Sequence, residues 1–308
     1  MSRIRSIIKG SGHYLPSLLV KNGSFEKNTF HNEDGTLFPS SSSEIIQKFH
    51  TITGIKERRY LTEDLQSSDM AAIASEKAIL DSGIDRESID HIIIAHNFGD
   101  IQSDKSIPEM MPSLGAKVKN KLGIKNPNCV CYDIIFGCPG WVQAMIQADV
   151  YIKSGYAKTC LVVGTESLSR MVDPTDRDAM IFSDGAGAVI VTALESDKEV
   201  GIINHSSVTH AAQDLNYLTM GGSNKQGDDD NLYIKMKGRK IYNYALLEVP
   251  KAIKSCLDKD ELVIDDIDKI LIHQANEKMD VAIGNRLYSL YGYEEMPKNK
   301  MPMIIDKM

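Results

Sequence analysis
The sequence has 308 residues, 42% apolar and 25% charged, an ordinary globular composition with ample material for a core. Its formal net charge of −7 argues against bulk nucleic-acid binding, which needs a basic face, and its apolar runs are too short to span a bilayer. Five irregularly spaced cysteines argue against a disulfide framework and for a reducing cytoplasm, and the opening MSRIRSIIKGSG has too small an apolar cluster for a secretory signal.

Short Ile/Val-rich runs alternate with longer stretches of helical period, which predicts an α/β fold with a buried, largely parallel sheet. RSIIKG reads as the first strand, followed by a loop rich in Asn, Gly and Ser over residues 20–45. SSDMAAIASEKAILDSG reads as a helix capped by Ser68 and stopped by Gly83. DHIIIAHN and NCVCYDII read as strands, and PGWVQAMIQADVYIKSG as a helix between NCVCYDII and the strands TCLVVGTE and AGAVIVTAL. GIINHSSVTH is the next strand expected, then a polar connection over 220–236 whose aspartates Asp228, Asp229 and Asp230 lack the spacing of a calcium loop. IYNYALLEVPKAIKSCLD reads as a helix that Pro250 kinks or divides, and DKILIHQ as a last strand. Strand–turn–helix units ending in reactive residue types near 138 and 273 hint at a coarse duplication.

The turn after NCVCYDIIF reads Gly-Cys-Pro-Gly. Pro139 suits the first helical position, which makes Cys138 the N-cap at the positive end of a helix dipole. That setting lowers a thiol pKa and enriches the nucleophilic thiolate, while Gly137 and Gly140 permit a tight turn and close approach of a substrate. Cys129 and Cys131 alternate along one strand and read as core, as does Cys160; Cys256 falls in a helix, and no metal-ligand spacing is present. His273 ends an apolar run and is followed by Gln274 and Asn276 at the start of a helical stretch; a buried histidine is an equal reading there. His96, at the end of IIIA, is a weaker candidate. A cysteine, a histidine and an amide together support nucleophilic acyl chemistry.

GSGHYLP, TGIKERR, GCPGW, SGYAKTCLVVGTE, DPTDRDAMIFSDGAGAVIV, YIKMKGRKIYNYA and IHQAN stand in one order along most of the chain. Together they resemble the ketoacyl synthase III family of thiolase-like condensing enzymes. The resemblance implies a five-layer αβαβα fold of two similar halves, residues 1–195 carrying the nucleophile and 196–308 carrying the histidine. It implies a cytoplasmic homodimer, no cofactor, and decarboxylative Claisen condensation of an acyl-CoA with malonyl-acyl carrier protein. Cys138 and His273 are then the catalytic pair, with Gln274, Asn276, Arg177 and Lys278 around the substrates.

The family's third catalytic residue is an asparagine in Gly-Asn-Thr-Ser, and the sequence ends at MPMIIDKM before that motif, so the second half is expected to lack its last strands and the glycine-rich oxyanion loop. Lys48 stands where well-known members stack a tryptophan on adenine, Lys278 where an arginine is usual, and Trp141 is bulkier than the family's residue in the acyl pocket. Two related readings are a starter-unit or HMG-CoA synthase-type enzyme and a non-catalytic partner subunit.

Overall fold
The computed structural model describes residues 3–102, 107–225, 227 and 230–306. In chain order its strands are β1 (Arg3–Tyr14), β2 (Leu18–Lys21), β3 (Glu57–Tyr60), β4 (His91–His96), β5 (Asp100–Ile101), β6 (Pro108–Glu109), β7 (Val130–Ile135), β8 (Thr159–Ser167), β9 (Asp184–Ser196), β10 (Leu218–Gly221) and β11 (Tyr233–Met236). The helices are α1 (Ser42–Thr53), α2 (Ser67–Ser82), α3 (Leu114–Lys121), α4 (Gly140–Lys153), α5 (Gly238–Asp258) and α6 (Glu277–Ser289). They fall into two compact units that interleave along the chain. The first comprises residues 1–18, 59–170 and 184–203; the second comprises 19–58, 171–183 and 204–308.

The first unit is built on a sheet of order β1-β9-β8-β4-β7. Alternation decides which way each side chain points. Ile92 and Ile94 of β4 and Leu161 and Val163 of β8 join α2 and α3 in one core, while Ile93, Cys160 and Val162 join α4 in the other. The sheet is thus covered on both faces, and each fully buried isoleucine contributes roughly 1.5–3 kcal/mol. The expected largely parallel sheet is corrected to a mixed one. β4 runs parallel to β7 and β8, but β9 runs antiparallel to both β8 and β1. An apolar run encodes burial on two faces and says nothing of strand direction.

Glycines let α2 lie directly on β1. A Cβ on Gly10 would stand 2.4 Å from Ser82 N, and one on Gly12 would stand 2.2 Å from Ala74 O. Gly83 ends α2 at φ 65°, as expected. The expected cap does not form: α2 begins at Ser67 with Gln66 as N-cap, and the Ser68 hydroxyl donates to Asp100 Oδ2 at 2.8 Å instead.

In the second unit, α5 and α6 enclose a core of Ile264, Ile270, Leu287, Tyr288 and Met301, and β10 pairs with β11 as a hairpin. The loop expected over 20–45 contains the end of β2, a short 3-10 turn and the first residues of α1, capped by Ser41. α5 runs unbroken through Pro250, which is buried, so the expected division is corrected. GIINHSSVTH and DKILIHQ, expected as strands, form no strand among the described residues; Ile202 N bonds Ser6 O of β1 and Ile270 N bonds Lys300 O, each at 2.8 Å, without a ladder around either. Alternation sets the side chains of such a run, but a strand also needs a neighbouring backbone. Asp228 and Asp229 of the polar connection lie outside the described residues.

Candidate active site
Cys138 sits where β7 gives way to α4. Gly140 N donates to Gly137 O at 2.9 Å, closing a turn over Cys138 and Pro139, and Gly137 takes φ 75°, which glycine adopts without a steric penalty. A Cβ on Gly140 would stand 3.1 Å from Ala95 Cβ, so the turn presses against the end of β4. The helix starts at Gly140 with Pro139 as its N-cap, placing Cys138 one residue further out than expected. Cys138 is exposed as a residue, but its thiol is not activated as expected: it lies above the usual 9.0. Desolvation by the surrounding protein pushes it up, the Cys138 backbone opposes the rise, and the Glu166 carboxyl adds to it. Solvent reaches the residue's surface while the mass of protein about the sulfur disfavours the thiolate.

Beside this turn, the carboxyl ends of β4, β7 and β8 carry three polar groups. Asp133 accepts from Leu114 N and Gly115 N at 2.7 Å each, at the start of α3, and its Oδ2 lies 2.9 Å from His96 Nε2. Gly99 N donates to His96 Nδ1 at 2.9 Å, so His96 Nε2 carries the proton and donates to Asp133. Glu166 Oε2 accepts from Asn97 N at 2.6 Å, and burial pushes the Glu166 carboxyl up to about 7. The other cysteines are inert by the same criterion: burial pushes Cys129 up to about 11 and Cys160 up to about 12. Trp141 packs over Gly164, whose absent Cβ would stand 3.3 Å from Trp141 Cβ.

The remaining expected residues belong to the second unit. Asn276 is the N-cap of α6, its Oδ1 accepting from Met279 N at 3.1 Å. Gln274 bridges to the segment 302–304, donating to Pro302 O at 2.7 Å and accepting from Ile304 N at 2.9 Å. His273, just before them, is exposed at its surface but set in enough protein that burial lowers its pKa, a fall that Asp280 opposes. Lys278 lines a cavity of about 460 Å³ with His50, Gly54, Lys56 and Asp306. The Arg177 guanidinium stands 4.6 Å from the Phe38 ring centroid, and Lys48 is exposed on α1.

Sequence reasoning passed over Asp133, Glu166 and Asp280. Each had a signal: Asp133 and Glu166 are charges placed within or at the end of apolar strand runs. Asp280 shares the stripe of Ile283, Gly284 and Leu287 on α6, all of them buried.

Residues 132–210 match the family description 3-Oxoacyl-[acyl-carrier-protein (ACP)] synthase III. The Beta-ketoacyl-[acyl-carrier-protein] synthase III 1 of Vibrio parahaemolyticus is 36% identical over 284 residues, which span 92% of this chain and 81% of that protein. The Beta-ketoacyl-[acyl-carrier-protein] synthase III of Staphylococcus aureus (strain N315) is 33% identical over 97% of this chain and 83% of its own length. Among solved structures, 3-oxoacyl-[acyl-carrier-protein] synthase III from Aquifex aeolicus matches with a TM-score of 0.75 at 30% identity, over 98% of this chain and 85% of that one. The corresponding enzyme from Pseudomonas aeruginosa matches with a TM-score of 0.79 over 99% and 84%, at 22% identity. The chain belongs to the beta-ketoacyl-[acyl-carrier-protein] synthase III family of condensing enzymes and has its thiolase-like fold. Among the described residues no helix is long and apolar enough to cross a membrane.

Proposed function
We propose that this member of the family loads an acyl group from an acyl-CoA onto Cys138 and extends it with malonyl carried on acyl carrier protein. The Cys138 sulfur attacks the thioester carbonyl, and the CoA thiolate leaves with the cysteine's proton. Malonyl then loses carbon dioxide, and the resulting enolate attacks the acyl-cysteine, releasing the Cys138 sulfur and a β-ketoacyl thioester. His273 donates a hydrogen bond to the malonyl thioester carbonyl and stabilises the enolate. Gln274 and Asn276 fix the segment that carries it, while Arg177 and Lys278 meet the phosphates or the carrier protein. The chemistry uses no cofactor and runs in the cytoplasm. The observation that supports this reading most is the glycine-bounded turn that exposes Cys138 at the carboxyl ends of β4, β7 and β8.

The active form in this reading is a homodimer. Its support is β7, an edge of its sheet among the described residues, where Val130, Ile135 and neighbouring Phe136 are 48%, 60% and 41% exposed. An apolar edge of that kind is a template for a second copy.

The test is the intact mass of the purified protein before and after incubation with short acyl-CoAs. A gain of one acyl group that Cys138→Ser abolishes, with His273→Ala still loading but no longer condensing, is the expected result. A folded wild-type protein that gains no mass would overturn the reading.

A further inference from the structure
Arg177 opens a 3-10 turn over Arg177–Ile181, and its side chain is 47% exposed, with Asp178 Oδ1 3.9 Å from its Nε. Among the described residues nothing accepts a hydrogen bond from this guanidinium. A long side chain in that position would ordinarily sample many rotamers. Here the Phe38 ring lies against the guanidinium, 4.6 Å from carbon to ring centroid. A ring attracts the cation through its face and takes up no donor, so it orients the fork and leaves the N–H groups available.

Phe38 is delivered by a small hairpin. Gly35 turns the chain at φ 85°, Asn32 N donates to Thr36 O and Phe38 N to Phe30 O, each at 2.9 Å, and Phe30 is buried. The hairpin is fastened to the segment just before Arg177: His31 N donates to Thr175 O at 2.9 Å, and Asn28 Nδ2 to Pro174 O at 3.1 Å. That segment is held in turn by the buried Asp173, which accepts from Thr175 N at 2.9 Å and from Lys235 Nζ at 2.6 Å. Lys235 also stands 3.5 Å from Asp176, so the charge of that carboxylate is met by a cation other than Arg177. Ring and guanidinium therefore sit on two elements tied together through their backbones, an arrangement that fixes the stack before any ligand arrives.

We propose that Phe38 is a positioning residue for Arg177, holding its guanidinium so that the free N–H groups meet a phosphate of the acyl donor. The inference rests on the reading of Arg177 as a donor-binding residue and names the group it binds. CoA and the phosphopantetheine arm of a carrier protein share that chemistry. A planar fork meets two phosphate oxygens at once, and a fork already oriented loses less freedom on binding.

The experiment is calorimetric titration of the whole chain with CoA, 4′-phosphopantetheine and pantetheine. Phe38→Leu keeps apolar bulk and removes the ring; it is expected to raise the Kd for CoA by about 2–5-fold, with pantetheine, which has no phosphate, unaffected. A loss shared by CoA and phosphopantetheine assigns the contact to the phosphate they have in common, and a loss with CoA alone assigns it to the nucleotide phosphates; either supports the inference. Phe38→Tyr retains wild-type binding, and Phe38→Leu adds nothing in an Arg177→Ala background, as a residue acting through Arg177 requires. An unchanged Kd for CoA in folded Phe38→Leu, an equal loss with pantetheine, or a further loss in the Arg177→Ala background overturns the inference, as does a wild-type chain that binds none of the three. Should Phe38→Leu not fold, Arg177→Lys decides, since it keeps the charge and gives up the planar stack: weakened CoA binding supports the inference and an unchanged Kd overturns it. A wild-type chain that binds CoA in this Phe38-dependent way yet gains no acyl group from an acyl-CoA would instead overturn the functional reading.

Discussion

His96 Nε2 lies 2.9 Å from Asp133 Oδ2, joining the ends of two adjacent parallel strands. The same carboxylate receives two backbone N–H groups of α3, so one side chain ties β4, β7 and α3 together. Burial alone would raise the Asp133 carboxyl; His96 and the two N–H donors outweigh it and hold it below 3.8. Asp133→Ala strands all three donors and is expected to cost about 2–4 kcal/mol in urea unfolding at pH 7. A group with a depressed folded pKa contributes its stability above the unfolded pKa and loses it as the pH falls through the folded value. The gap between wild type and Asp133→Asn should therefore narrow below pH 3.8. A gap that stays constant would mean that the carboxylate's charge does not matter.

Glu166 has the opposite shift, pushed from 4.5 up to about 7 by burial. The folded chain then holds a proton that the unfolded chain releases, so this group's contribution to stability falls as pH rises between those values. Glu166→Gln removes the loss, and its melting temperature should gain on wild type from pH 5 to pH 8. Because Glu166 also raises the Cys138 thiol, the same variant should lower the midpoint of the alkylation rate at Cys138, which is expected to be raised in wild type. Iodoacetamide kinetics against pH, followed by mass, read this directly; an unmoved midpoint would remove Glu166 from the cysteine's surroundings.

The turn itself gives a third expectation. Gly140→Ala places a methyl 3.1 Å from Ala95 Cβ, at the fully packed junction of α4 and β4. Overpacking of this kind typically costs about 1–3 kcal/mol. The expected outcome is a folded protein with a lower melting temperature and slower acyl loading at Cys138, because the first turn of α4 moves and the thiol moves with it. Gly137→Ala, strained at φ 75°, should act in the same direction by about 1 kcal/mol. Unchanged loading in both variants would show that the glycines serve the chain path and not the thiol.

Much of this arrangement was legible in the sequence, because local signals were strong. Alternating Ile92, Ile93 and Ile94 announced a strand buried on both faces, Gly83 a helix stop, and Gly-Cys-Pro-Gly a turn. What stayed hidden depends on partners distant in the chain. Ser68 looked like a cap but binds Asp100, 32 residues away. Asp133 meets His96 across 37 residues. The antiparallel course of β9 leaves no trace in an apolar run. Desolvation at Cys138 depends on the protein mass around the turn, whereas a motif shows only the dipole. Asp280 had a local signal, a carboxyl on the apolar stripe of α6, which composition alone treats as an ordinary surface charge.

The proposed dimer leads to the last prediction. β7 has a neighbour on one side alone among the described residues, and its backbone polar groups on the other side need water or another strand. Val130 and Ile135 stand 48% and 60% exposed along it, an unusual apolar load for an edge that faces water. Pairing with β7 of a second copy satisfies the backbone groups and removes those side chains from solvent together. Val130→Lys places a charge at the far end of the strand from Cys138, where it opposes dimerisation without touching the turn. Light scattering after size exclusion should give twice the chain mass for wild type and the single chain mass for Val130→Lys at low micromolar concentration. Acyl loading at Cys138 should persist in the variant unless the partner copy completes the site. A wild-type protein that runs as a monomer at every concentration would sink the edge-pairing argument, and would leave the exposed apolar side chains of β7 to another explanation.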